Sequence, residues 1–268
     1  MATNHARIEA GMTALVTGAS SGIGEQFARQ LADRGARLVL VARNRQRLED
    51  LATDLRRRHD GLTVSVHPTD LAAAAGASGL VGTLESNGVA VDLLINNAGV
   101  GSYGSFVDED PDAIAREIQL DCVSLAALAR AFLPGIVTRR RGGIINVAST
   151  SGFQPVPTMA VYSASKAFVL LFTEALWAQT KASGVRVMAL CPGPTETRFF
   201  ETANPSKPFL TRGRQSPEYV AEFALRKFDT GRGPTVIPGA ANHLIASGYR
   251  VTPRALMPFV AEHYARAG

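Results

Sequence analysis

The sequence is short of cysteine. Cys122 and Cys191 are the two in 268 residues, each in an apolar stretch and neither in a metal-ligand spacing. A disulfide framework and a cysteine-based metal site are therefore not what organises the chain, and two small buried thiols are expected. Charge is also sparse, at 19% of residues against 46% apolar, which excludes a disordered composition. The leading "MATNHARIEAG" lacks the apolar middle of a signal peptide. No stretch is expected to combine the length and purity of a membrane span. These absences predict a soluble, cytoplasmic protein. The basic runs, "RRRH" at 56–59 and "TRRRG" at 138–142, have no aromatic residues between them. They read as solvated helix C-termini, where cations meet the negative dipole end, and a nucleic-acid partner is not expected. The net charge of +5 would still draw anionic ligands weakly.

What is present is a rhythm. "TALVT" (13–17), "RLVLVA" (37–42), "TVSVH" (63–67), "VDLLIN" (91–96), "GGIINVAS" (142–149) and "VRVMALC" (185–191) are short, nearly continuous apolar runs. Helical patterns alternate with them, including Ile23 to Arg34 and 45–58. This predicts one α/β domain over 1–268, a doubly wound parallel sheet in three α/β/α layers. "PTVIPG" (234–239) would add an edge strand. The Ala- and Gly-rich 71–90 predicts a loosely packed helix. Residues 193–216 break the rhythm with proline, glycine and aromatics, as a substrate loop does. Ser216 and Pro217 open a helix through 228, and 240–268 forms a helical tail.

"VTGASSGIGEQFA" (16–28) follows the first strand and opens the first helix. Gly18 permits a tight turn, Gly22 lets a phosphate near the backbone, and Gly24 permits close helix packing. The helix N-terminus then offers free N–H groups to a pyrophosphate. At the end of strand two, Ala42 stands where a ribose-binding acid would, and Arg43 follows with Arg47 one turn on. An arginine pairs with a 2′-phosphate, and Ser20 and Ser21 add hydroxyls, so NADP(H) is expected over NAD(H).

"YSASK" (162–166) puts Tyr162 and Lys166 on one face of a helix. An ammonium beside a phenol favours the phenolate and is expected to lower the Tyr162 pKa, which suits proton exchange near neutral pH.

These pieces, with "NNAG" (96–99), "NVASTSG" (146–152) and "PGPTET" (192–197), stand in the order found in the short-chain dehydrogenase/reductase family, which the chain resembles over nearly its whole length. The resemblance implies that Tyr162 is the acid or base, that Ser149 steadies the carbonyl oxygen, and that Lys166 lowers the Tyr162 pKa and holds the nicotinamide ribose. It implies a cofactor site from Gly18, Ser20, Ser21, Gly22, Ile23, Gly24, Arg43 and Arg47, with Asp70 near adenine. Asn97, Ala98 and Gly99 would line the adenosine side, and Pro192, Gly193, Thr195 and Thr197 the nicotinamide and pyrophosphate side. The fourth catalytic position is usually asparagine and here is Asp121. Its family role is largely a backbone carbonyl holding a water, and an acid there could also pair with a distant positive group.

The expected function is NADP-dependent reduction of a ketone or aldehyde, or the reverse. The rival is a dinucleotide-binding redox sensor without turnover, against which Ser149, Tyr162 and Lys166 together argue. Phe153, Met159, Phe199, Phe200 and Phe209 are candidates to line an apolar substrate pocket, or to be core. By resemblance the chain forms a homodimer or homotetramer through the long helices after strands four and five.

Overall fold

The computed structural model describes residues 7–199, 214–231, 233–249, 252–259 and 261. Seven strands pair in one sheet, every ladder parallel: β1 (Thr13–Thr17), β2 (Arg37–Ala42), β3 (Val64–Pro68), β4 (Leu93–Asn96), β5 (Gly143–Val147), β6 (Arg186–Leu190) and β7 (Thr235–Val236). Their order across the sheet is β3-β2-β1-β4-β5-β6-β7. The helices are α1 (Gly22–Asp33), α2 (Arg45–Arg58), α3 (Gly76–Ser86), α4 (Pro111–Ile118), α5 (Leu125–Arg139), α6 (Ala160–Thr180), α7 (Pro217–Thr230) and α8 (Ala240–Gly248). The result is the Rossmann-type doubly wound fold that the rhythm of runs predicts.

The continuous apolar runs make sense once both faces of the sheet are covered. Side chains alternate across a strand. Ala14, Val16, Leu38 and Leu40 therefore join one core with α1, α2 and α7, while Leu15, Val39, Leu94 and Ile144 join the other with α3 and α5. A buried polar chain ties the middle together: Asn96 Nδ2 donates to Asn146 Oδ1 at 2.9 Å, and Asn146 Nδ2 donates to Thr173 Oγ1 at 2.9 Å. It joins β4, β5 and α6 at the end of the sheet where the cavity lies, and each buried amide finds a partner.

Helix boundaries follow local chemistry. Asn44 and Ser216 cap α2 and α7 through their side chains, accepting from Arg47 N and Tyr219 N. Arg56, Arg57 and Arg58 occupy the last turn of α2, and Arg139 that of α5. Residues 71–90 are helical only from Gly76. Gln119–Ser124, between α4 and α5, forms one wide π-type turn, which re-aims the side chains it carries. Pro111–Arg139 and Pro157–Thr180 are long and apolar enough to cross a membrane by length and composition, contrary to the sequence expectation. Here each presses one face on the sheet and buries charged side chains, Glu117 and Asp121 on the first and Lys166 on the second. Both cysteines are free, but Cys122 is only half-buried because the wide turn leaves it beside Asp121 rather than in the core.

Phe228 is fully buried where α7 packs against α1. Phe228→Ala is expected to cost about 3–5 kcal/mol in urea unfolding. A loss below about 1 kcal/mol would show that α7 contributes little to this core.

Candidate active site

The strand order reverses between β1 and β4, and a crevice opens there at the carboxyl ends of the strands. It widens into a cavity of about 750 Å³. The glycine-rich loop forms one wall, contributing Gly18, Ser20, Ser21, Gly22 and Ile23. Gly18 and Gly22 hold φ of +67° and +58°, a region that disfavours any other residue. Gly24 lies beneath the wall rather than on it, where an added Cβ would stand 2.3 Å from Gly18 O. Ser21, before α1, makes no side-chain cap, which leaves the helix N-terminus open to the cavity. The loop is braced from β4. Asn97 Nδ2 donates to Thr17 O at 2.9 Å, and Asn97 N and Ala98 N both donate to Thr17 Oγ1 at 2.9 Å.

Ser149, Tyr162 and Lys166 meet in the same cavity, each 8% exposed or less. Ser149 lies two residues past β5 and accepts from Ser151 N at 3.1 Å. Tyr162 and Lys166 share a face of α6, with the Lys166 Nζ 5.5 Å from the phenol ring centroid. The direct partner of the ammonium is Asp121, whose Oδ2 lies 2.8 Å away, and Nζ also donates to Val147 O at 3.4 Å. Asp121 Oδ1 accepts from Val100 N at 3.0 Å. Gly99 presses on this pair: a Cβ there would stand 3.0 Å from Nζ and 3.1 Å from Asp121 Oδ2. Asp121 thus engages through its side chain, and its positive partner is close. It is fully buried behind Lys166 and does not line the cavity.

The electrostatics follow from burial. Burial pushes the Tyr162 phenol above its ordinary value, and Lys166 and Ser149 only partly offset it. Lys166 lowers the phenol as expected, but burial outweighs it, and Asp121 and Glu117 add to the rise. Burial works against the Lys166 charge, but Asp121 and Tyr162 outweigh it, and the ammonium is held above its usual range. Burial likewise raises Asp121 while Lys166 pulls it down. The 2.8 Å contact favours the charged pair, so Lys166 keeps its proton.

A family model described as short chain dehydrogenase matches residues 12–208. The chain belongs to that family. Very-long-chain 3-oxoacyl-CoA reductase-B of Danio rerio is 32% identical over 235 residues, covering 85% of this chain and 74% of the relative. A short-chain dehydrogenase from Sphingobium yanoikuyae, solved in complex with NADPH, is 36% identical with TM-score 0.78 over 90% of this chain and 94% of that one. A bulky-bulky ketone specific alcohol dehydrogenase from Comamonas testosteroni is 31% identical with TM-score 0.76, over 90% and 92%. The protein is thus an oxidoreductase acting on a small molecule with a nicotinamide dinucleotide.

The residues of this short-chain dehydrogenase fit such a dinucleotide: an open helix N-terminus and a loop with glycine-only backbone face a long crevice. Arg43 and Arg47 are exposed on its rim. Asp70 lines it too; burial would raise its carboxyl, but the Ala72 amide and Arg116, at 3.1 Å, hold it below its ordinary value. Asn97, Ala98, Gly99, Pro192, Gly193, Thr195 and Thr197 all line the cavity. Thr197 packs over Gly22, and Thr195 is bridged to Gln215, which pins the two ends of the 193–216 segment together.

Of the candidate pocket residues, Met159 and Phe199 line the cavity beside Tyr162, the latter's ring 5.1 Å from the phenol ring. Phe153 does not. It turns into the core beside α6, its ring 5.5 Å from that of Tyr249. Phe200 and Phe209 lie outside the described residues. Sequence reasoning missed the tail residues Asn242, Ile245 and Ala261, which also line the cavity and carry no local motif. It also missed Glu117, whose signal was an acid four residues before Asp121 in an apolar helix.

Asp121→Ala strands a buried ammonium, and its expected cost is about 3–5 kcal/mol in chemical denaturation. Asp121→Asn keeps an acceptor for Val100 N–H and loses less. Equal stability of the alanine variant and the wild type would mean that the ion pair is not what holds Lys166.

Proposed function

We propose that this protein moves hydride between NADP(H) and an apolar ketone/alcohol pair, with Tyr162 as acid and base. The observation that carries the reading is the meeting of Ser149, Tyr162 and Lys166 in the cavity walled by the glycine-rich loop. The nicotinamide, when bound, supplies or takes the hydride. In reduction, negative charge grows on the carbonyl oxygen. Ser149 Oγ–H donates a hydrogen bond to it, and the Tyr162 hydroxyl gives it a proton. A phenol held above its ordinary value stays protonated at neutral pH, so reduction is the favoured direction there and oxidation gains with alkaline pH. The Lys166 ammonium, kept charged by Asp121, stabilises the phenolate left behind.

NADP(H) is supported by Arg43 and Arg47 on the rim where Ala42 replaces an acid, and by the NADPH held in the Sphingobium relative. An apolar, bulky ketone is supported by Val156, Met159 and Phe199 around Tyr162, and by the names of the Comamonas and Danio relatives. A homo-oligomer through α5 and α6 is supported by Phe168 and Leu171, 42% and 66% exposed on α6, and by Val123, 50% exposed just before α5. The non-catalytic sensor finds no favouring observation, since the three reacting side chains are assembled.

Tyr162→Phe is expected to lower kcat/KM for ketone reduction by about 10²–10⁴-fold while leaving NADPH affinity within a few-fold. Carbonyl reduction at full speed in that variant would refute the assignment. Arg43→Ala is expected to raise the KM for NADPH by roughly tenfold or more with little change for NADH, as a lost charged contact to phosphate does. Equal rates of the wild type with both nucleotides would remove the NADP preference.

A further inference from the structure

One buried acid beside the active site has no role in the reading above. Glu117 stands in α4, four residues before Asp121, and is 2% exposed. Its Oε2 accepts from Ser102 N at 3.0 Å, while Oε1 is buried with no hydrogen-bond partner among the described residues. Ser102 Oγ and both carboxylate oxygens of Glu109 are buried and unpartnered in the same way. A helix that needed only packing at this position would carry an apolar side chain, because an unsatisfied buried carboxyl costs stability.

We propose that Glu117 is a positioning residue of the active site: a second buried carboxyl whose negative charge, standing beside Asp121, raises the pH at which Tyr162 exchanges its proton. The consequence for turnover rests on the oxidoreductase reading; the effect on Tyr162 does not.

The groups around Glu117 come from four segments. Asp121 and Cys122 lie in the wide turn, Tyr162 on α6, Glu109 before α4, and Ser102 in the loop after β4. Tyr103 packs on the far side of Tyr162 with Val156 and Met159. Burial pushes the Glu117 carboxyl up to about 7, with Asp121 and Glu109 adding to the rise and Ser102 opposing it. Below that pH the Lys166 charge is matched by Asp121 alone. Above it, Glu117 releases its proton to solvent and adds one negative charge to the cluster. That charge stabilises the ammonium and disfavours the phenolate of Tyr162, as two interacting carboxylates on one side of a site do. Replacing Asn with Asp121 at the fourth catalytic position is what gives Glu117 a charged neighbour through which to act.

The test is the phenol titration of Tyr162 in the protein without added ligand. It is read as the ultraviolet difference between the wild type and Tyr162→Phe, then repeated with Glu117→Gln in both. Glutamine still accepts from Ser102 N–H but cannot ionise. The Tyr162 midpoint is expected to fall by about half a pH unit or more in the Glu117→Gln background. In kinetics, the wild-type pH profile of kcat/KM for ketone reduction should carry an inflection near pH 7 that Glu117→Gln lacks. A Tyr162 midpoint unchanged by Glu117→Gln overturns the proposal, and so does an unchanged pH profile. If Glu117→Gln does not fold, carbon-detected titration of glutamate carboxyls in the wild type decides: one titrating near pH 7 supports the proposal, and all titrating in the ordinary range overturn it. A wild type that reduces no ketone with either nucleotide defeats the functional reading instead, and the Tyr162 titration still decides this one.

Discussion

A buried ammonium must be answered by a buried anion. That constraint explains more of this active site than any motif does. Lys166 is 4% exposed, and Asp121 meets it at 2.8 Å with no exposure of its own. Burying two ions is costly, and the attraction between them repays it only where the remaining oxygen and hydrogens are also satisfied. Val100 N–H and Val147 C=O do this from the ends of the neighbouring strands. The wide turn at Gln119–Ser124 delivers Asp121, and Gly99 leaves the room the pair occupies.

The sheet supplies the frame in which that pair is useful. Parallel strands end on one edge, so the loops after β1, β4, β5 and β6 converge on one crevice. The glycine-rich loop comes from the first, the braced Asn97–Gly99 segment from the second, Ser149 from the third and the Pro192–Thr197 segment from the last. The polar chain Asn96–Asn146–Thr173 holds β4, β5 and α6 in register near that edge. Ser149 and Tyr162 lie on different elements, and this network limits how far they can drift apart.

The same arrangement sets the electrostatic character of the site. Lys166 is shared between a carboxylate that neutralises it and a phenol that needs it. Burial therefore holds the phenol above its ordinary value, with Asp121 and Glu117 adding to the rise and Lys166 opposing it. A short-chain dehydrogenase with asparagine at the fourth position would not divide its ammonium in this way, because an amide carries no charge to compete for it.

Local pattern in the chain determined a good deal: the strand–helix alternation, the parallel sheet, the glycine loop, and the Ser149, Tyr162 and Lys166 set. Each is a short-range property, a period of apolar residues or a motif at fixed spacing. The cap at Ser216 and the basic ends of α2 and α5 were legible for the same reason. What only the tertiary structure decided depends on distance in space. Phe153 and Phe199 look alike in sequence, yet one turns to the core and the other to the cavity, because their backbones leave different elements. Asp121 looked like a substitution for asparagine and proved to be the partner of Lys166, since a π-type turn that no local pattern announces rotates it there. The tail residues Asn242 and Ile245 line the cavity from remote positions in the chain, and burial, which has no signature in a single residue, gives Glu117 its altered proton affinity.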